Sequence, residues 1–372
     1  MNKITHTYKY NLTLHLCLLF FAIIPVTKLV SLPCLLSQFT GRSLWISGLI
    51  STTIDTLFAL LMALLRQKID EPISRLLEKT IGKTLTKILF CIYAFLFIAR
   101  SVTFVSGEKY FLETSYYEDT AFSYIFTPFF FLIFYLGIKG LKPYVRLSLF
   151  LAILSVVGIG LILVLTVGET RFEYLLPLKP DSFKGVIKGS LFNFTYGGEG
   201  IFLLFFTSEK HGDKKPAFYL ILSFLSGYML VVAVFLIFFS TFGPVAQTKL
   251  FAVSQMGHYS DVVAGVGRID TFAVFMIDFV RMFALTLPLT ASVELLRYVV
   301  GGQKKAVYII SASIALSFFL FANFFGTQTI FWFNFFFKRF MPAQFVMVYL
   351  LPLLLFFVVR KKNKTKLKEV TV

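Results

Sequence analysis

The chain has 372 residues, of which 57% are hydrophobic, 15% are charged and 48 are phenylalanine. A soluble domain needs roughly 25% charged residues to cover its surface, so the composition excludes a soluble protein and indicates a lipid bilayer as solvent. The net charge of +17 does not indicate a nucleic-acid partner, because the basic residues occupy short loops between apolar stretches, where membrane topology accounts for them.

Ten apolar stretches recur along the chain, and each is long enough to cross a hydrocarbon layer of about 30 Å as a helix. They predict an all-α membrane protein with ten transmembrane helices, and residues 241–270 have room for a small outer helix. The predicted spans are 12–38, 43–65, 85–107, 121–138, 145–167, 184–208, 217–241, 269–296, 306–325 and 335–359.

Lysine and arginine are unevenly distributed between the two sides of these spans. If the N-terminus is cytoplasmic, the inner segments hold the larger share, including 66–87 and the basic tail 360–372, and the outer loop 108–120 is acidic. Because lysine and arginine favour cytoplasmic loops, both termini are predicted to be cytoplasmic. Residues 1–372 are then a single integral membrane domain.

Ten spans divide into two sets of five, at approximately residues 11–167 and 184–359. Five is an odd number, so the second set would cross the membrane in the opposite direction, as in an inverted repeat. In transporters of this kind the first helix of each half is discontinuous, and the substrate site lies between the two breaks. A 5+5 inverted repeat of this kind therefore requires helix breakers in spans 1 and 6.

Both spans contain such breakers. Residues 25–33 read PVTKLVSLP, and residues 193–200 read NFTYGGEG. Three glycines within four positions cost about 1 kcal/mol each in a helix interior, but they leave peptide groups available to a ligand. Close helix packing is the alternative explanation for the glycines. The ionisable Glu199 among them favours a break.

Six ionisable residues lie well inside the spans, and each costs about 2.5–3.5 kcal/mol at the centre of a membrane helix, so none is expected to face lipid. Asp278 and Arg281 lie three residues apart and are expected to pair along one helix face. Asp55 and Arg100 are expected to pair between spans 2 and 3. The six residues are Lys28, Asp55, Arg100, Glu199, Asp278 and Arg281.

Lys28 and Glu199 each lie in a predicted break, so they would neutralise one another in an empty site if the breaks face each other. The ammonium of Lys28 would then stand where sodium-coupled relatives of this architecture bind sodium. Glu199 could instead accept a ligand amine or carry a proton, and a purely structural pair is the third possibility. The candidate ligand-binding residues are Thr27, Lys28, Ser31, Tyr196, Gly197, Gly198 and Glu199.

No motif for catalysis, a metal or a cofactor accompanies these residues. The glycine-rich residues 197–200 follow no strand, which excludes a nucleotide loop. Cys17, Cys34 and Cys91 match no zinc or redox spacing. We therefore expect neither enzymatic activity nor a cofactor.

Several local motifs recur in a known arrangement: Leu32-Pro33, Gly41, Trp45-Ile46-Ser47, Gly198-Glu199 and Gly267-Arg268-Ile269-Asp270, of which the last is the most distinctive. With these motifs the chain resembles the GerAB/GerKB family, the integral-membrane B subunits of spore germinant receptors, within the amino acid–polyamine–organocation superfamily. The resemblance covers nearly the whole chain. Span 1, however, lacks the glycine cluster with which amino-acid carriers hold a carboxylate.

The resemblance implies a LeuT-like bundle, with a 5+5 inverted repeat and discontinuous helices 1 and 6, that serves as a receptor subunit in the inner membrane of a dormant spore. It would bind a small nutrient, commonly an amino acid in this family, and act with an A subunit and a lipoprotein C subunit. A proton-coupled amino-acid permease of the same fold is the alternative, with Lys28, Glu199 or Asp278 as coupling groups. A membrane scaffold with a degenerate site is a third hypothesis.

Overall fold

The computed structural model describes residues 12–68, 72–115, 122–206, 216–259, 269–324 and 342–354. Within these ranges the secondary structure is helical and contains no strand. Predictions about Gly267, Arg268 and the tail 360–372 fall outside the described residues, as do both ends of the predicted span 335–359.

The described residues of the N-terminal half form a series of helices joined by short connections. These are α1 (Leu12–Lys28), α2 (Leu32–Thr40), α3 (Leu44–Lys68), α4 (Ile73–Ile81), α5 (Lys83–Ser115), α6 (Phe122–Lys139) and α7 (Lys142–Val167).

The C-terminal half continues in the same way. Its helices are α8 (Phe183–Asn193), α9 (Pro216–Phe242), α10 (Ala252–His258), α11 (Ile269–Val299), α12 (Lys304–Phe324) and α13 (Pro342–Leu354). A 3₁₀ segment, Glu199–Leu204, follows α8, and a π-helical segment, Val346–Leu350, lies inside α13.

Six stretches in the described residues are long and apolar enough to cross a membrane. They are Leu32–Gln67, Lys83–Ser115, Lys142–Val167, Ala217–Thr248, Ile269–Val299 and Lys304–Phe321, and α1, α13 and Phe126–Lys139 are shorter apolar helices. Large apolar side chains such as Phe131, Val164 and Ile309 remain exposed on the outside of the bundle, as expected of residues that contact lipid. The chain is therefore a multi-pass membrane protein, while the arrangement of ten spans as a 5+5 repeat stays a prediction.

The most buried of the long apolar stretches is α11. It packs against α1, α5 and α7, while α1 packs also against α7 and α9 and α3 packs against α9. These contacts place the broken first helix in the interior of the bundle, where charged side chains can be separated from lipid.

Both predicted helix interruptions are present. The first helix ends at Lys28 and α2 begins at Leu32, so the break is shorter than residues 25–33, and Pro25 lies inside α1. Pro33 lies in the first turn of α2, where its missing N–H leaves no hydrogen bond unmade. The helix α8 ends at Asn193, and the chain continues as a 3₁₀ segment.

The structure shows what three of the predicted connections contain. The predicted small helix between 241 and 270 is confirmed as α10. The predicted inner segment 66–87 contains the amphipathic helix α4, which is too polar to be predicted as an apolar span. The predicted outer loop 108–120 is wrong in its first part, because α5 continues to Ser115 and buries Glu108 and Lys109.

Candidate functional site

The two helix breaks face each other and are joined by a buried ion pair. Lys28 at the end of α1 places its Nζ 2.6 Å from Glu199 Oε1 and donates a second hydrogen bond, of 2.8 Å, to the carbonyl oxygen of Tyr196. The Lys28 and Glu199 side chains are only 1% and 4% exposed. Both charges are therefore removed from water and satisfied chiefly by each other.

The second oxygen of Glu199 is bound from another helix. The hydroxyl of Tyr228, on α9, donates to Glu199 Oε2 at 3.0 Å, and the ammonium of Lys28 lies 5.2 Å from the centre of the Tyr228 ring. On the other side, Thr27 Oγ1 lies 3.4 Å and Arg100 Nη2 lies 3.9 Å from Glu199 Oε1. One carboxylate thus links α1, α5 and α9.

The carbonyl groups of the second break are satisfied by side chains from elsewhere. Gln344 Nε2 of α13 donates to the carbonyl of Thr195 at 2.9 Å, and Lys28 donates to that of Tyr196. The hydroxyl of Tyr349 lies 3.5 Å from the carbonyl of Phe194. Unpaired backbone groups are very costly at membrane depth, so these contacts permit an irregular segment inside the bundle.

Two glycines allow this segment to approach α3 and α13 closely. Gly198 has a φ of +85° in the left-handed region, which favours glycine. A Cβ on Gly197 would overlap the carboxylate of Asp55 and the hydroxyl of Tyr349. Asp55 Oδ1 in turn accepts a 2.5 Å hydrogen bond from Tyr349. The absence of a side chain at 197 therefore lets a second buried carboxylate lie beside the break.

A small cavity of about 20 Å³ adjoins the ion pair, and is large enough for about one water molecule. Thr27, Arg100, Ser101 and Glu199 contribute its polar lining, with Phe104 among the apolar residues. Arg100 Nη1 is buried without a hydrogen-bond partner in the described structure, and the guanidinium lies 5.4 Å from the centre of the Phe104 ring. The cavity thus offers an unused donor to an acceptor atom of a ligand.

The structure brings most of the candidate ligand-binding residues together. Thr27, Lys28 and Glu199 are in direct contact, Tyr196 contributes its carbonyl, and Gly197 and Gly198 adjoin Asp55 and Tyr349. Ser31 lies at the start of α2 beside the side chain of Tyr196. The formal charges of Lys28, Arg100, Glu199 and Asp55 sum to zero in this region.

Two predicted ion pairs are wrong. Asp55 was expected to pair with Arg100, but in the described residues Asp55 binds Tyr349 and Arg100 turns toward Glu199. Asp278 was expected to pair with Arg281 along α11, but Arg281 Nη1 lies 2.5 Å from Glu108 Oε2 on α5. Spacing along one helix indicates a shared face, but it does not reveal which neighbouring helix presents a better-placed carboxylate.

Sequence reasoning missed Tyr228, Tyr349 and Glu108. The two tyrosines give no distinctive signal, because tyrosine is frequent in membrane helices near the lipid headgroups and 17 are present here. Glu108 was assigned to a polar outer loop, and a longer helix at that position would have placed it inside the bundle. Within the described ranges, no group of three or more His, Cys, Asp or Glu side chains is arranged to hold a metal ion.

Comparison with known proteins gives one family match. The family model described as spore germination protein matches residues 12–328, which include both helix breaks and the buried charges. No curated protein sequence matches the chain.

Proposed function

The chain belongs to the spore germination protein family, and we propose that it is the B subunit of a nutrient germinant receptor. In this proposal it resides in the spore inner membrane with both termini cytoplasmic, and it is a binding and signalling protein, not an enzyme. It binds a small nutrient between the breaks in spans 1 and 6 of a LeuT-like 5+5 inverted repeat. The bound state is then communicated to an A subunit and a lipoprotein C subunit.

The observation that carries the proposal is the ion pair of Lys28 and Glu199 across two facing helix breaks. A structural tether would not need irregular backbone on both sides of the pair, with side chains recruited to satisfy its carbonyl groups. Facing breaks of this kind present backbone groups and charges to a solute at the centre of a bundle. A ligand in this site would replace contacts that Lys28, Glu199 and the carbonyl of Tyr196 now make with one another.

The charged groups of the site favour an amino acid. A ligand ammonium can replace Lys28 at Glu199, and a ligand carboxylate can accept from Arg100, whose Nη1 has no hydrogen-bond partner among the described residues. Arg100 would thereby supply the carboxylate contact that a glycine cluster provides in amino-acid carriers. Because the cavity is only about 20 Å³, ligand binding requires the two breaks to separate.

Such a separation provides a signal. A ligand shifts a conformational equilibrium only if it binds the two states with different affinity. A site that is closed by its own ion pair when empty and widened by the ligand meets this condition. The change at Glu199 would reach α1, α5 and α9, which all contact its carboxylate in the structure.

Spores that carry Glu199→Gln test the proposal. The variant removes one charge but keeps the shape, so a germinant ammonium loses its counter-ion, and we expect at least tenfold more nutrient to be required for half-maximal germination. Tyr196→Ala should act in the same direction. The control is Asp181→Asn, at an exposed ion pair with Arg42. Unchanged nutrient dependence in both site variants, with receptor at normal levels on immunoblots, would show that the proposed site is wrong.

A proton-coupled amino-acid permease is the second candidate, and the buried charges at a helix break favour it. Lys28 and Glu199, or Asp278 on α11, would then couple solute movement to a proton gradient. Uptake by proteoliposomes that is driven by a pH gradient would support the permease. Ligand binding without such flux would support the receptor.

A further inference from the structure

Three charged side chains form a second buried cluster between α5 and α11. Arg281 Nη1 lies 2.5 Å from Glu108 Oε2, and these side chains are 4% and 0% exposed. Asp278 precedes Arg281 by three residues on α11 and is also buried. Glu108 lies eight residues beyond Arg100 on α5, a distance of about 12 Å along the helix. The cluster is therefore separate from the site around Glu199.

The carboxylate of Asp278 has no hydrogen-bond partner at either oxygen in the described part of the chain. The charged groups that act on it are Arg281, which attracts it, and Glu108, which repels it. Because Arg281 already lies against Glu108, two carboxylates share one guanidinium and the cluster has a formal charge of −1 when all three groups are ionised. A buried carboxylate without hydrogen bonds or its own counter-ion is strongly disfavoured.

The helices packed against α11 offer no other described counter-charge to Asp278. Lys28 of α1 binds Glu199, and Arg100 Nη2 of α5 lies 3.9 Å from the same carboxylate. Lys109 of α5 lies 3.5 Å from Glu113, and His258 of α10 lies 2.8 Å from Asp270. Lys83 and Lys87 lie in the first two turns of α5, and Arg297 lies in the last turn of α11. Arg281 also acts electrostatically on the hydroxyl of Tyr196 in the second break. Basic residues on α6, α7 and α12 lie at their ends: Lys139, Lys142, Arg146, Lys304 and Lys305.

We propose that Glu108, Asp278 and Arg281 form a proton-binding site that holds one exchangeable proton. In this structure Arg281 pairs with Glu108, and the proton resides on Asp278. Because Asp278 and Arg281 share a helix face, the guanidinium can turn to Asp278. The O–H bond at Asp278 then breaks and one forms at Glu108, while the guanidinium keeps its charge. The net charge of the cluster is zero in both arrangements.

A proton fits this cluster better than a metal cation. A proton needs a single oxygen atom, whereas hard metal cations take about six oxygen ligands. The guanidinium of Arg281 would also repel a metal ion placed between the two carboxylates. The exchange would alter the contact between α5 and α11 and the position of the guanidinium that acts on Tyr196, so the location of the proton and the geometry of the second break would be linked.

Infrared spectroscopy of the full chain in lipid nanodiscs at neutral pH tests the proposal without any ligand. The wild-type protein should show the carbonyl stretching band of a protonated carboxylic acid, shifted in D₂O. Asp278→Asn removes the group that carries the proton, so a band equivalent to one carboxyl group should be lost. Glu108→Gln should lose the same band, because Asp278 then ionises against Arg281.

The matched control is Asp181→Asn, an exposed carboxylate paired with Arg42, which should leave the band unchanged. If one of the two amide variants fails to fold, the spectrum of the other still tests the proposal, because both are expected to lose the band. If the intensity of the carboxylic-acid band is undiminished in Asp278→Asn, or in Glu108→Gln alone, the two carboxylates do not share a proton and the proposal is overturned. A wild-type band that is absent in sodium chloride and present in choline chloride would identify bound sodium and also overturn it. None of these outcomes depends on the proposed nutrient site.

Discussion

Two buried ion pairs in this bundle join residues of different segments. Lys28 reaches Glu199, Arg281 reaches Glu108, and each pair joins segments that are distant in sequence. Arg100 differs, because its Nη2 lies 3.9 Å from Glu199 while its Nη1 has no hydrogen-bond partner in the described structure. At the scale of single residues, Arg100 therefore retains a donor that can bind an anionic group beside the two breaks.

Arg100→Gln tests this assignment. The variant loses a charge-assisted hydrogen bond to a ligand carboxylate, which contributes about 1.5–3 kcal/mol, so we expect an amino-acid germinant to bind roughly 10- to 150-fold more weakly. Germination assays with the amino acid and with its carboxamide, which has no carboxylate, provide the measurement. The carboxamide should act equally on the wild type and the variant. An equal loss for both compounds would show that Arg100 does not contact the carboxylate.

At the scale of elements, the second break is held open by its surroundings. Side chains of α1 and α13 satisfy its carbonyl groups, and Asp55 of α3 occupies the space that a side chain at 197 would need. The break is therefore a property of three packed helices. Its own glycines only make it possible, since Gly198 tolerates a φ of +85° and Gly197 tolerates the close approach of a carboxylate.

Gly197→Ala should destabilise the purified protein by about 1–3 kcal/mol, because the added methyl group overlaps Asp55 and Tyr349 and has no free space to enter. Thermal unfolding in nanodiscs measures the effect as a lowered midpoint. The matched control is Gly160→Ala on α7, where no atom lies within 4 Å of the new methyl group. If both variants unfold at the wild-type temperature, the packing of Asp55 against the break is not as described.

At the scale of the whole molecule, the described helices form a bundle whose exterior is apolar and whose charges are interior or near helix ends. Phe95, Phe131 and Val164 are more than half exposed, whereas Lys28, Glu108 and Glu199 are buried. Soluble proteins show the opposite distribution, with charged side chains on the surface. The difference follows from the solvent, because burying an apolar side chain away from lipid gains little, whereas exposing a charge to lipid is costly.

Cysteine labelling tests the predicted orientation. In a variant with Cys17, Cys34 and Cys91 replaced by serine, a cysteine at Leu178 lies in a predicted outer segment and one at Arg75 in a predicted inner segment. A membrane-impermeant maleimide should label position 178 in intact cells and position 75 only after permeabilisation. The reverse pattern would place the termini outside and contradict the charge-based orientation.

The sequence by itself determined the solvent, the approximate positions of the long helices and the two helix breaks. Composition, span length and clustered Pro or Gly residues are local properties of the sequence. They can therefore be interpreted without knowing which helices pack against each other. The membrane family could also be identified at this level, and the matched family model confirms it. The contact between Lys28 and Glu199 was predicted on the condition that the two breaks face each other.

Only the tertiary structure decided which partners the other charges have. Arg281 was expected beside Asp278 and lies instead against Glu108, and Asp55 binds Tyr349 of the distant α13. Partner choice depends on how each helix is rotated about its axis and which neighbour it packs against. A nearly uniform apolar sequence carries little of this information, because a membrane helix can present hydrophobic residues on every face. The bilayer explains why the charges are interior, and helix packing determines which of them meet.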